Sequence, residues 1–382
     1  VLSRFAPIAV ACVVAAAAGC LGIDRKPALR AGPPSITKLT LVGQFSIPPL
    51  RRYPTDNDLQ FGGISGLAMS PNGRDLLGIS DAQRGGRVYR FRIDGLGGSL
   101  VVTPTDVTVL EGLPAETIAD HEAIVALPNG EYLVASEGTN REPRRPPSID
   151  EYDPHGIYVR RLALRDRFAP EQSGPATRGA RGNAGFESLT VSPDLQRLFT
   201  ATETALIQDG PPATFEAGTR TRILEYAAHG GSYRPAREFA YDLEPVDKPP
   251  FKSSFFINGL VELLAVSRTT LLALERGFTE DEKKTAAINW IRLYRITLTG
   301  ATDISALDSL KGHGEVVPAA KTLLLDLVTV PGLNPDLAPS LDNFEGMTFG
   351  PRLPDGRASL ILVSDDNFQA SQRTWFLVFA IE

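Results

Sequence analysis

From Leu39 onward the chain reads as short apolar strands separated by turn residues. Apolar and polar positions alternate in 86–94 (GRVYRFRID), 156–164 (GIYVRRLAL) and 291–298 (IRLYRITL), the period of half-buried β-strands. No segment keeps a helical period for three turns, and 279–287 (TEDEKKTAA) reads as a short helix or a charged loop.

One unit recurs five times. A polar residue opens a short apolar strand, a turn follows, and a second strand ends in an acid. The copies are 64–81 (ISGLAMSPNGRDLLGISD), 121–137 (HEAIVALPNGEYLVASE), 186–203 (FESLTVSPDLQRLFTATE), 257–275 (INGLVELLAVSRTTLLALE) and 344–367 (FEGMTFGPRLPDGRASLILVSDDN). Pro71-Asn72-Gly73, Pro128-Asn129-Gly130 and Pro354-Asp355-Gly356 carry hairpin chemistry, because Pro presets φ and Asn-Gly or Asp-Gly supplies positive-φ residues. Third strands are expected at 87–93, 156–164, 221–228, 288–298 and 374–381, and fourth strands at 106–110, 237–243 and 321–328.

Four strands per repeat, with repeat starts 57, 65, 71 and 87 residues apart, describe the blades of an all-β propeller. The chain ends after the third strand of its last copy, so the N-terminal strand 38–47 supplies the fourth and closes the ring. Five four-stranded antiparallel blades are counted, or six if the interval 258–345 hides a degenerate one. Composition agrees. Gly (35) and Pro (30) exceed average usage, against a helical bundle, and 42% hydrophobic residues suffice for one packed domain over 37–382.

Residues 1–20 have the layout of a secretory signal: Arg4, an apolar run from Phe5 to Ala18, then small residues. The ending Ala17-Ala18-Gly19-Cys20 resembles the lipobox of bacterial lipoproteins, which makes Cys20 the lipidation site and places the protein in the cell envelope. Ordinary cleavage with secretion, or an uncleaved anchor, are the alternatives. Residues 21–36 read as a Pro-containing tether, so membrane contact is expected only through the anchor. A net charge of −6 argues against a nucleic-acid partner. Cys12 and Cys20 are the only cysteines, so the remainder of the chain has no thiol for a disulfide, zinc site or nucleophile.

Pairing within each hairpin sets the opening residue of strand one beside the closing residue of strand two. Propeller closure then gathers the openers Ser65, Glu122, Glu187, Asn258 and Glu345 with the closers Asp81, Glu137, Glu203, Glu275, Asp365 and Asp366 around one mouth. In the fourth copy Glu262 is an alternative opener. So many carboxylates need positive compensation. Calcium suits them, since it takes roughly six to eight oxygen ligands in irregular geometry. A structural reading stays open, in which the acids cap strand ends, bond the next blade's backbone or pair with Arg84, Arg141 and Arg276. No G-x-S-x-G elbow, H-E-x-x-H or phosphate loop is present, so any chemistry would be metal-assisted attack by water.

The stretches 186–203, LLALERGF (271–278) and 343–368 (NFEGMTFGPRLPDGRASLILVSDDNF), followed by QRTWFLVFAIE (372–382), resemble the family named for esterase-like activity of phytase. The resemblance implies a secreted or lipid-anchored bacterial propeller related to the calcium-dependent propeller phytases. It implies Glu187, Glu203, Glu275, Glu345, Asp365 and Asp366 as metal ligands, with Arg276 facing the substrate anion and Arg141 and Arg373 as further candidates. Arg276, Glu187 and Glu345 are the catalytic candidates; Asp81, Glu122 and Glu137 join the metal set from the ring pattern. The expected activity is a monomeric, calcium-dependent hydrolase of small phosphate or carboxylic esters. The chain lacks the dense Lys/Arg face suited to a highly phosphorylated inositol, which favours a smaller ester. A non-catalytic binding propeller of the envelope and a lactonase-like calcium propeller are the alternatives.

Overall fold

The computed structural model describes residues 35–49, 51–52, 60–82, 85–114, 120–337 and 340–382. The signal, the lipobox with Cys20, most of the tether and Arg84 lie outside the described residues.

Five four-stranded antiparallel sheets form the blades. The first holds β2 (Ile64–Met69), β3 (Asp75–Ser80), β4 (Arg87–Asp94) and β5 (Val101–Val109), and the second β6 (His121–Ala126), β7 (Tyr132–Ser136), β8 (Ser148–Tyr152) and β9 (Tyr158–Arg161). The third holds β10 (Thr190–Val191), β11 (Arg197–Ala201), β12 (Thr219–His229) and β13 (Ser232–Leu243), and the fourth β14 (Ser253–Ala265), β15 (Thr270–Asp281), β16 (Ala287–Thr297) and β17 (Ala320–Asp326). The last combines β18 (Asn343–Gly350), β19 (Ser359–Asp365) and β20 (Thr374–Ile381) with β1 (Leu39–Ile47), paired in register from Leu39↔Ile381 to Ile47↔Thr374. N-terminal closure and the count of five follow directly. The interval 258–345 is filled by long strands and by residues 301–319, which cover the outer edge of blade three through Ile304 N to Glu238 O and Ala319 N to Ala240 O. Such cover keeps an edge strand from pairing with other chains.

Three local expectations change. Residues 156–164 contain the fourth strand of blade two rather than the third, which is β8. That strand reads SIDEY and has no apolar alternation, because it buries Asp150 and Glu151 against Arg161 (2.7 Å) and Arg160 (2.8 Å) of β9. Residues 279–281 continue β15, so the charged segment after Phe278 is a hairpin rather than a helix. Ile36, placed at the end of the tether, is buried among Leu272, Leu293 and Phe344.

Each blade packs one apolar face on each neighbour, so the core consists of five joints around the axis. Ile64, Tyr89 and Phe91 meet Ile361, Val363 and Phe376 across the joint that closes the ring. Near the axis the strands crowd. A Cβ on Gly66 would lie 2.6 Å from the Glu122 carbonyl oxygen and 2.8 Å from Ala123 Cα. Both belong to the backbone of the next blade, so the contact cannot be relieved by a side-chain rotation. Gly66→Ala is therefore expected to cost about 1–3 kcal/mol in urea unfolding.

Candidate metal centre at the channel mouth

The first two strands of each blade contain a one-residue shift in register, and this shift fixes which side chains reach the mouth. It falls between Ile64 and Gly66, His121 and Ala123, and Phe344 and Gly346, leaving Ser65, Glu122 and Glu345 as the extra residues. In blade three the same shift separates Phe186↔Thr202 from Thr190↔Phe199, around Glu187. A bulge bends the strand and re-aims the extra side chain. Asp81, Glu137, Glu203 and Asp365 then pair with Gly63, Asp120, Gly185 and Asn343, two residues before each bulge.

Blade four breaks the pattern. Its shift lies between Leu260 and Glu262, so Val261 takes the opening position and Arg276, paired with Gly259, takes the closing one. The expectation that Asn258 opens and Glu275 closes this repeat is corrected by that register. Glu275 occupies the place held elsewhere by Ser80, Ser136, Thr202 and Ser364, and its oxygens are fully engaged. They accept from Tyr241 Oη (2.7 Å), Lys321 Nζ (2.9 Å), Asn258 Nδ2 (3.0 Å) and Glu244 N (3.3 Å). Glu262 lies deeper in the channel, where its Oε1 accepts from Leu263 N (2.9 Å) and Leu189 N (3.4 Å).

The structure brings together the other ring acids. One ligand oxygen from each of Asp120, Glu122 and Glu137 lies within 4.8 Å of the others, and the same holds for Glu137, Glu187 and Glu203. Glu137 belongs to both triads. Arg276 borders the second triad, its Nη2 at 3.1 Å from Glu203 Oε1 and 3.1 Å from Glu345 Oε1. Asp366 leaves the mouth partly engaged, since its Oδ1 accepts from Gly63 N (2.9 Å) and Phe368 N (3.1 Å). Asn367 and Phe368 both hold positive φ beside it, a costly backbone that recurs at ligand clamps. Arg373 turns instead to Ser46 Oγ (3.2 Å). Arg141 is exposed on the loop that follows Glu137.

Asp120 was not expected. In the other blades its position is Gly63, Gly185, Gly259 or Asn343, so an acid in a place mostly given to glycine was the available signal. Asn343 was missed as well, and it hydrogen-bonds Glu345. His121, next to Asp120, turns away into the blade joint, where Nε2 lies 3.3 Å from Tyr152 Oη.

Burial and mutual repulsion dominate the electrostatics. Burial first, then Glu345, Asp120 and Asp366, push the Asp81 carboxyl up to about 8. Burial pushes Glu203 to about 7, opposed by Arg276. Glu122, Glu137, Glu187 and Asp365 are raised well above the ordinary carboxylate range by burial and by neighbouring acids. Such groups favour folding while protonated, so their contribution is complete below the usual carboxylate pKa and is lost as pH rises through the folded values. The metal-free protein should therefore lose thermal stability progressively as pH rises toward about 8 and level off above it, measurable as melting temperature in EDTA across pH 5.5–9.

Among the described residues, four buried oxygens at the ring have no hydrogen-bond partner: Ser65 Oγ, Asp81 Oδ1, Glu137 Oε1 and Asn343 Oδ1. Buried acceptors are nearly always satisfied, so a group of orphans converging on one mouth calls for a positive occupant. Carboxylate, amide and hydroxyl oxygens, with no sulfur and no imidazole among them, suit a hard divalent cation.

A family model described as phytase-like, esterase-like activity of phytase, matches residues 59–368. The chain belongs to this phytase-like family. No curated protein matches it. Among solved structures it is similar to an endo-arabinase from Bacteroides thetaiotaomicron, at 10% identity over 88% of this chain and 97% of that one, with a TM-score of 0.43. It is also similar to a periplasmic gluconolactonase from Pseudomonas aeruginosa, at 13% identity over 85% and 86% of the two chains, TM-score 0.32. A gluconolactonase from Xanthomonas campestris matches at 12% identity over 92% and 98%, TM-score 0.33.

Proposed function

We propose that this phytase-like propeller is a calcium-dependent hydrolase of small esters, working at the acidic mouth. The observation that carries the reading is the set of orphaned, buried oxygens within a carboxylate ring. Asp120, Glu122, Glu137, Glu187 and Glu203 would hold the ion, with Asp81, Asp365 and Ser65 completing the oxygen surface. A calcium ion held there supplies polarisation of the ester oxygen and acidification of a bound water.

The chain's own groups perform the remaining work. Arg276 fixes the carboxylates of Glu203 and Glu345 and would set its positive charge beside the substrate anion. Glu345, at a bulge inside the ring and outside the ion-holding set, would take the proton from an attacking water. The ring acids are buried among the blades, so these charges act at a dielectric below that of water.

The deciding assay follows hydrolysis of p-nitrophenyl phosphate and p-nitrophenyl acetate after EDTA treatment and again after calcium is restored. Activity that disappears and returns supports the reading. Calcium that raises the melting temperature while neither ester nor any lactone turns over makes the protein a binding propeller. Turnover confined to lactones reassigns the reaction.

We also propose that Cys20 carries a lipid that holds the propeller at a bacterial envelope membrane. Metabolic labelling with palmitate should mark the wild type and not Cys20→Ser.

A further inference from the structure

The first two strands of blade four are the only ones, among the described residues, that continue well past the ring. In the other blades the second strand stops at or just short of the ring, at Ser80, Ser136, Ala201 and Asp365. Beyond the pair Gly259↔Arg276 the β14–β15 ladder goes on through Asn258↔Gly277, Ile257↔Phe278, Phe256↔Thr279 and Phe255↔Glu280 to Ser253↔Asp281. At the usual rise this is a two-stranded wall standing about 15–20 Å above the acids.

Alternation along the ladder puts Arg276, Phe278, Ile257 and Phe255 on one face. This is the face that sends Arg276 to Glu203 and Glu345. Phe255 and Phe278 pack with ring centroids 6.0 Å apart, yet Phe255 remains 52% exposed. On the opposite face Phe256 stacks on Phe215 at 4.4 Å, which braces the wall against blade three. An exposed aromatic at the rim of a polar site is a costly surface in water unless something covers it. Phe278 is two residues, about 7 Å, along the strand from Arg276.

We propose that Phe255 and Phe278 form the apolar wall of the substrate pocket and select esters carrying an aryl or alkyl group, with the anionic end at Arg276. This deepens the hydrolase reading and rests on the cation-bearing mouth described under it. The wall determines specificity through contact with the non-reacting part of the substrate, at a distance from the carboxylates.

The test uses binding rather than turnover. With calcium present, calorimetry compares phenylphosphonate with methylphosphonate, which share an anionic head and differ in the apolar group. Wild type should bind the phenyl compound about tenfold more tightly, the scale of one buried aromatic contact. Phe255→Ser should bring that ratio near one, whereas Leu323→Ser, an exposed apolar residue on the outer strand of the same blade, should leave it unchanged. Equal affinity for the two compounds, no binding of the phenyl compound, or an unchanged ratio in Phe255→Ser overturns the proposal. The hydrolase reading is judged separately. Selective binding without ester turnover keeps the wall and removes the reaction, while turnover with a flat ratio does the reverse.

Discussion

Glu137→Gln should lose about 100- to 1000-fold in calcium-dependent ester hydrolysis while gaining stability in EDTA at pH 8. Glu137 is the acid shared by both triads, so its replacement removes a ligand from each at once. Polarisation by a metal is worth several kcal/mol, and each 1.4 kcal/mol or so is a factor of ten in rate. The amide keeps the shape of the side chain and removes one charge from a crowded, buried set. Metal-free stability therefore rises, as expected where function is maintained against repulsion. The calcium-induced rise in melting temperature should shrink in the same variant, because less binding energy is linked to folding. Activity within a few-fold of wild type would remove Glu137 from the site.

Arg276→Met should behave in the opposite way. Its guanidinium is buried between Glu203 and Glu345, and the substitution leaves two carboxylates without their cation. Breaking a buried pair from one side costs about 3–5 kcal/mol. Loss of the arginine raises both acids further, so the penalty should be largest near pH 8 and fall as they take up protons toward pH 5.5. Urea unfolding at the two pH values in EDTA measures it. Equal destabilisation at both would mean that Arg276 contributes by packing alone.

Much of this architecture was legible in the sequence because it repeats. Asn-Gly and Asp-Gly turns gave hairpins, period-two strands gave blades, and a chain ending one strand short gave closure by β1. Hairpin pairing pointed to Asp81, Glu122, Glu137, Glu187, Glu203, Glu345 and Asp365 at one mouth, and the register shift in blade four then excluded Glu275. What could not be read is instructive in physical terms. Ile257-Asn258-Gly259-Leu260 imitates Ile64-Ser65-Gly66-Leu67, but the bulge falls at Val261. A bulge is set by how a strand meets both neighbours, and residue type does not announce it. Gly259 has its own reason, since a Cβ there would lie 2.3 Å from Glu203 Cγ. The one-residue difference exchanges Glu275 for Arg276 at the mouth, and with it an acid for a base. Asp120 escaped notice because it precedes the repeat unit. The β8 strand escaped because Asp150 and Glu151, buried at its centre, are satisfied from β9 and break the apolar alternation.

The closing strand also has an orientation. β1 begins beside Ile381 at the end of the ring away from the acids and finishes beside Thr374, near the mouth. Ser35, the first described residue, lies at the back of the propeller. A lipid on Cys20, as proposed, would then tether the propeller through the end opposite its mouth. Solutes could then reach the acidic ring, and the aromatic wall above it, without first passing between the protein and the membrane.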